Sequence, residues 1–244
     1  KLFEERKASG APIICTPCPA VVAYVEKYMP TLRNSLAPIV SPMIATARAI
    51  RFRHGHNARV VFIGPCIAKK GEIRDPFVVG TVDSVLTYKE LSSMFESAGI
   101  AIDSLSESGF DGPRSCIGWS FPLSGGLLRT AEIGTDILNN DLLTTEGKDR
   151  SLLALQELGD GASSAKFLDV LFCEGCISGP KMLNDLGVFA RKEILSNFVN
   201  DKRNWAEPEE FARSLEEFRD VHLGRAFTRQ NIALRQPTEE EVAE

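Results

Sequence analysis

Phe167-Leu-Asp-Val-Leu-Phe-Cys173-Glu-Gly-Cys176-Ile-Ser-Gly-Pro180 is an apolar run that stops abruptly in two cysteines, two glycines and a proline. Such a run reads as a buried strand that delivers two thiols into a tight loop. The design recurs twice, in Pro12-Ile-Ile-Cys15-Thr-Pro-Cys18-Pro19 and in Ala58-Arg-Val-Val-Phe-Ile-Gly-Pro65-Cys66. Strand ends on one edge of an α/β sheet converge, so the three loops are expected to meet at one site around a common cavity.

Working outward, Ile13-Ile14 reads as the first strand, after a charged helix over residues 1–10. Cys18-Pro19 then opens a helix that runs to Met29-Pro30, because proline suits the first helical position. A thiolate there would sit beside unsatisfied N–H groups, which is expected to lower the Cys18 pKa. Residues 44–53 read as a helix and 60–63 as a strand. A charged turn to Arg74, a short strand over 77–79 and a helix over 83–96 are expected next. Residues 100–120 read as an ordered connection, and Ser124-Gly125-Gly126 as a close backbone approach that opens a helix to about Ile133. Helices are further expected over 152–158, 181–198 and 207–223, and the charged stretch 236–244 reads as a linker.

The chain has 244 residues, 43% of them hydrophobic, enough for one large domain or two small lobes with a sizeable core. Twenty-eight basic against 33 acidic residues give a net charge of −5 without a long basic run, which argues against nucleic acid or an anionic membrane as partner. No apolar stretch approaches the roughly 18 residues of a membrane span. Six cysteines without dense spacing read as metal or redox ligands in a reducing compartment, hence a cytoplasmic protein. A start at Lys1 with no leader pattern reads as a piece of something longer.

Cys18, Cys66, Cys173 and Cys176 each fall in a loop flanked by Pro or Gly, where packing gains little, so they read as ligands rather than as buried apolar residues. Zinc and iron–sulfur ligation both suit such thiolates. Cys15 reads as a packing residue at a strand end. Cys116 fits no pattern, and a substitute ligand is its alternative reading. His54, His56 and His222 read as surface residues. Lys69 and Glu72, taken alone, read as charges on a turn.

Together these segments resemble the iron-only (FeFe) hydrogenase large-subunit domain, whose signature loops are TSCCPxW, PCxxKxxE and FxExMACxGxC. Thr16-Pro-Cys18-Pro-Ala20 answers to the first, Pro65-Cys66-Ile-Ala-Lys69-Lys-Gly-Glu72 to the second, and Phe167-Leu-Asp169 to Cys176 to the third, in the same order. Residues 81–87 and Phe121-Pro-Leu-Ser-Gly-Gly126 look like further family segments. The resemblance implies a two-lobed α/β fold of mostly parallel sheets flanked by helices, with the cluster site between the lobes. It also implies a 4Fe-4S cluster on Cys18, Cys66, Cys173 and Cys176. In the resembled enzymes the matches of Lys69 and Glu72 serve the two-iron subcluster, one contacting a diatomic ligand and the other holding that lysine; here they would be catalytic residues of an active hydrogenase.

The departures from the pattern bear on chemistry. Pro17 stands where the family has the thiol that exchanges protons with the catalytic iron. Gly64 and Leu171 replace two methionines, and Val21 a tryptophan. The third loop is CxxC where the family has CxxxC, and one residue moves a Cα by about 3.8 Å, large against a metal bond of about 2.3 Å. The leading expectation is therefore a 4Fe-4S domain, residues 1–235, for electron transfer or redox sensing within a larger protein. Its partners would be a ferredoxin-like donor or neighbouring iron–sulfur domains, and the two-iron subcluster is doubtful. The alternatives are an active hydrogenase working with ferredoxin, and a zinc-bearing structural interaction domain.

Overall fold

The structure is a computed structural model, and it describes residue 5 and residues 10–112, 116–134, 140–203 and 208–230. The helix expected over 1–10 lies outside the described residues except at residues 5 and 10, and the stretch 236–244 lies wholly outside them.

Among the described residues five short strands form two parallel sheets, and helices cover both. In the first lobe β1 (Ile13–Ile14), β5 (Phe167–Leu171) and β4 (Leu142–Glu146) lie in the order β1-β5-β4. Strand β5 is central and all five of its residues are buried, which is why it is apolar at every position but Asp169. Leu168 and Val170 share one face and pack with Ile14 against Val21, Val22 and Val25 of α1 (Pro19–Tyr28) and Leu155 and Leu158 of α6 (Lys148–Gly159). Phe167 points the other way, toward Ile13, Ala37 and Leu128. Each buried valine or leucine contributes roughly 1.5–3 kcal/mol, so this two-sided burial dominates the lobe.

The second lobe pairs β2 (Val61–Ile63) with β3 (Ser84–Leu86), in register Val61 to Ser84. Helix α2 (Pro42–His54) lays Met43, Ile44 and Ala47 against Val60, Val82 and Val85. Pro42 occupies its first turn and Gly55, at φ +87°, ends it, as the sequence signals require. Residues 29–41 join the lobes and stay tied to the first sheet, since Ala37 N donates to Ile14 O (2.8 Å).

Among the described residues the remaining helices are α3 (Ala68–Glu72), α4 (Tyr88–Ser97), α5 (Gly126–Thr130), α7 (Val188–Arg203) and α8 (Pro208–Glu217). Several local expectations need correction. The expected turn after Cys66 contains α3. Residues 77–79 are a turn, and the strand lies at 84–86, inside the stretch read as helix. Thr87 and Glu90 form a capping box that starts α4 one residue later, with Thr87 N donating to Glu90 Oε2 (2.7 Å). Residues 181–187 are irregular, so the helix expected from 181 begins at Val188. The helix expected to reach 223 ends at Glu217.

Candidate functional site

The site forms where the C-terminal ends of β1, β2 and β5 hand the chain to loops. Strands β1 and β5 are parallel neighbours, so Cys18 and Cys173 leave the first sheet on the same edge. Cys18 is the residue before α1, in extended conformation, with Pro19 fixing the first helical φ. Cys66 follows β2, just ahead of α3. Backbone contacts stitch the loops together: Lys181 N donates to Pro65 O (3.1 Å), and Cys176 N donates to Pro122 O (2.8 Å).

Two glycines allow these approaches. Gly175 has φ +73° and ψ 157°, a region essentially closed to other residues, and a Cβ there would lie 2.9 Å from Pro122 O. Gly179 presses on the second loop, where a Cβ would meet Pro65 Cβ at 2.9 Å. The expected close approach at Ser124-Gly125-Gly126 is also present, but its partner is the Ser120 carbonyl, 1.9 Å from a Cβ on Gly126.

The four thiols lie within electrostatic reach of one another. Burial pushes the Cys18 and Cys173 thiols up, Cys66 adding to both and Cys18 to Cys173. Cys176 keeps some exposed surface, but protein crowds its sulfur. That burial, followed by the charge of Cys18, pushes it up to about 12, while the Lys69 ammonium pulls the other way. The expected lowering at Cys18 is thus reversed. N–H groups of Phe172, Val21 and Ala20 do point at its sulfur and favour the thiolate, but desolvation outweighs them. Among the described residues no three His, Cys, Asp or Glu side chains are disposed around a single metal ion.

Lys69 forms the charged wall. Its Nζ donates to Glu72 Oε2 (2.8 Å), Ser41 Oγ (2.9 Å) and Pro17 O (3.3 Å). An ammonium has three donors, and all three are taken. Both partners of the ion pair are buried, their side chains 9% and 0% exposed. The turn of solvated charges is therefore a structural ion pair.

Residues 1–180 match the family model of the iron only hydrogenase large subunit, C-terminal domain. The chain belongs to that family. Its fold agrees: it superposes on a variant of FeFe-hydrogenase HydA1 from Chlamydomonas reinhardtii with a TM-score of 0.71 at 18% identity, covering 95% of this chain and 80% of that one. Among curated proteins it is 34% identical over 94 residues to the cytosolic Fe-S cluster assembly factor NAR1 of Vanderwaltozyma polyspora, which is 38% of this chain and 18% of that protein. It is 31% identical over 134 residues to iron hydrogenase 1 of Clostridium pasteurianum, 49% of this chain and 23% of that protein. The chain thus spans less than a quarter of the length of these curated relatives.

The Pro17 side of the site is apolar. A cavity of about 450 Å³ opens there, lined by Pro17, Ile13, Ala37, Ile39, Phe121 and Phe167, among others. Cys15 is the one ionisable residue among the described residues lining it. Its thiol is held well above the ordinary range by burial and by Asp169. Cys15 also packs with Ile13 and Phe167. Cys116 begins a short 3-10 turn, Cys116–Ser120, and its side chain lies outside the described residues. His54, His56 and His222 are exposed.

Sequence reasoning missed Arg225. Its Nη1 donates to Glu72 Oε1 (3.2 Å) and its Nη2 to Asp75 Oδ2 (3.0 Å), completing a buried charge network behind Lys69. No local signal could have found it, because the residues it joins lie far apart in the chain.

The donor set fits an iron–sulfur cluster. Soft thiols stand at loop ends, N–H groups aim at the Cys18 sulfur and the Lys69 cation favours the thiolate of Cys176.

Proposed function

We propose that this domain holds a 4Fe-4S cluster on Cys18, Cys66, Cys173 and Cys176 and uses it in electron transfer or redox sensing, as part of a larger cytoplasmic protein. The observation that carries the reading is the convergence of four thiols from three loops, close enough that Cys66 raises the thiols of Cys18, Cys173 and Cys176. Zinc would require the sulfurs at about 2.3 Å from one point, whereas a cubane offers each thiolate its own iron. When bound, the cluster supplies one-electron chemistry. The chain's own residues set its environment: the Cys18-directed N–H groups and the Lys69 cation both favour the reduced, more negative state.

Two features weigh against H2 turnover. Pro17 has no ionisable group, and the cavity beside it is apolar, with Cys15 held protonated. Losing a positioned proton donor costs roughly two to four orders of magnitude in rate. Lys69, which the family would aim at the two-iron subcluster, already spends its donors on Glu72, Ser41 and Pro17. The kinship with a protein named as a cytosolic Fe-S cluster assembly factor supports an iron–sulfur role and makes cluster handling the second reading.

Anaerobic reconstitution with iron and sulfide, followed by iron counting and electron paramagnetic resonance, tests this. Cys66→Ser is expected to lose most of the iron while Cys15→Ser keeps it; equal loss from both would refute the ligand set. Infrared bands of CO and CN⁻ after exposure to hydrogenase maturation factors, together with family-typical H2 evolution, would refute the non-catalytic reading.

A further inference from the structure

After α8 the chain turns back across both lobes. Val40 N donates to Leu223 O (2.9 Å), and Ile39 bridges Gly224 antiparallel. Arg48 of α2 donates to His222 O (2.6 Å) and Gly224 O (3.1 Å). Farther on, Thr228 N and Gln230 Nε2 donate to the carboxylate of buried Glu26 on α1 (2.9 and 3.0 Å). Between these anchors Arg225 points inward. Its side chain is 3% exposed, its guanidinium lies 4.9 Å from the Phe227 ring centroid, and its backbone N donates to Pro38 O (3.2 Å).

We infer that Arg225 is a positioning residue for the cysteine site: through Glu72 it fixes where the Lys69 ammonium stands. Glu72 gives one oxygen to each cation, Oε1 to Arg225 and Oε2 to Lys69. A carboxylate held on both oxygens cannot rotate. The long, flexible lysine stem has no comparable restraint of its own, so its head group takes its place from Glu72, Ser41 and Pro17. The planar guanidinium spans Glu72 and Asp75 at once, which a point charge on a lysine stem does not do. The link reaches the site because the Lys69 cation acts on the Cys176 thiol and its Nζ touches the carbonyl before Cys18.

The test pairs Arg225→Gln with Arg225→Lys and has two readouts. In the metal-free protein labelled with 15N-lysine, the Lys69 ammonium signal is assigned by its loss in Lys69→Met. In the reconstituted protein, the midpoint potential of the cluster is measured; this second readout rests on the cluster proposed above. Both variants are expected to shift or broaden the ammonium signal and to lower the potential, with the backbone amide spectrum of β5 unchanged. Arg225→Lys keeps the charge, so wild-type behaviour in it alongside a shifted Arg225→Gln would reduce the effect to charge and overturn the proposal. Unchanged signals in both would overturn it too. If Arg225→Gln does not fold, Asp75→Asn removes only the outer anchor of the guanidinium. The same ammonium change is expected there, and its absence overturns the proposal. Failure of the wild type to hold iron would strike the cluster reading, while the ammonium signal would still decide the role of Arg225.

Discussion

Asp169 is the one polar residue in β5, and its carboxylate faces the Ser124–Gly126 turn, accepting from Gly125 N (3.2 Å). Burial raises its pKa to about 6, and the Gly125 N–H only partly offsets this. The folded state therefore holds a proton that the unfolded chain gives up near its ordinary value of 3.8. Stability from this group is present below pH ~4 and is lost as pH rises through about 6. Asp169→Asn should accordingly stabilise the protein at pH 7.5 by about 1–3 kcal/mol and make little difference near pH 4. Denaturant unfolding at both pH values checks this, and an equal effect at the two would rule it out. In the sequence Asp169 reads as one position of the third signature loop. Its burial could be foreseen from the apolar neighbours, but its hydrogen bond with Gly125 could not, because Gly125 comes from another loop.

At the scale of elements, the strands and turns that carry cysteines were legible because several signals agreed in each. Phe167–Leu171 is apolar, bounded by a Gly-Cys loop and too short for a helix; Pro19 marks a helix start. Where signals conflicted the sequence misled. Phe77-Val-Val79 is apolar enough for a strand, yet Pro76 and Gly80 enclose it so tightly that it winds as a turn. Leu142–Glu146 passed unnoticed because only two of its five residues are apolar, although it pairs along its whole length with β5. The third-loop turn makes a sharper claim. Gly175→Ala places a Cβ against Pro122 O and forces a glycine-only backbone, so a loss of about 1–3 kcal/mol is expected. Iron retention should fall although both cysteines remain. Gly71→Ala in α3 is the contrast: it has open space and helical geometry, and should be neutral or slightly stabilising. Thermal melts and iron counts on the pair separate loop geometry from a general cost of losing glycine.

For the whole molecule, the returning segment 222–230 matters as much as the sheets, because it fastens α1 to the second lobe. Glu26 is 2% exposed and holds the far end of that segment. Glu26→Ala would leave the Thr228 N–H without its acceptor, at a cost of about 1–3 kcal/mol. Amide exchange should speed up at Thr228 and Gln230 while β5 amides stay protected; uniform acceleration would mean that the segment is not a separate fastening. The pairing of Ile13 with Phe167 sets a timetable of another kind. A ribosome adding about 5–20 residues per second separates the two strands by roughly 8–30 s. Until β5 emerges, β1 has no neighbour on that edge and Cys18 has no Cys173 to meet. Arg225 emerges later still, so a newly made chain closes the wall behind Lys69 only after both sheets are complete.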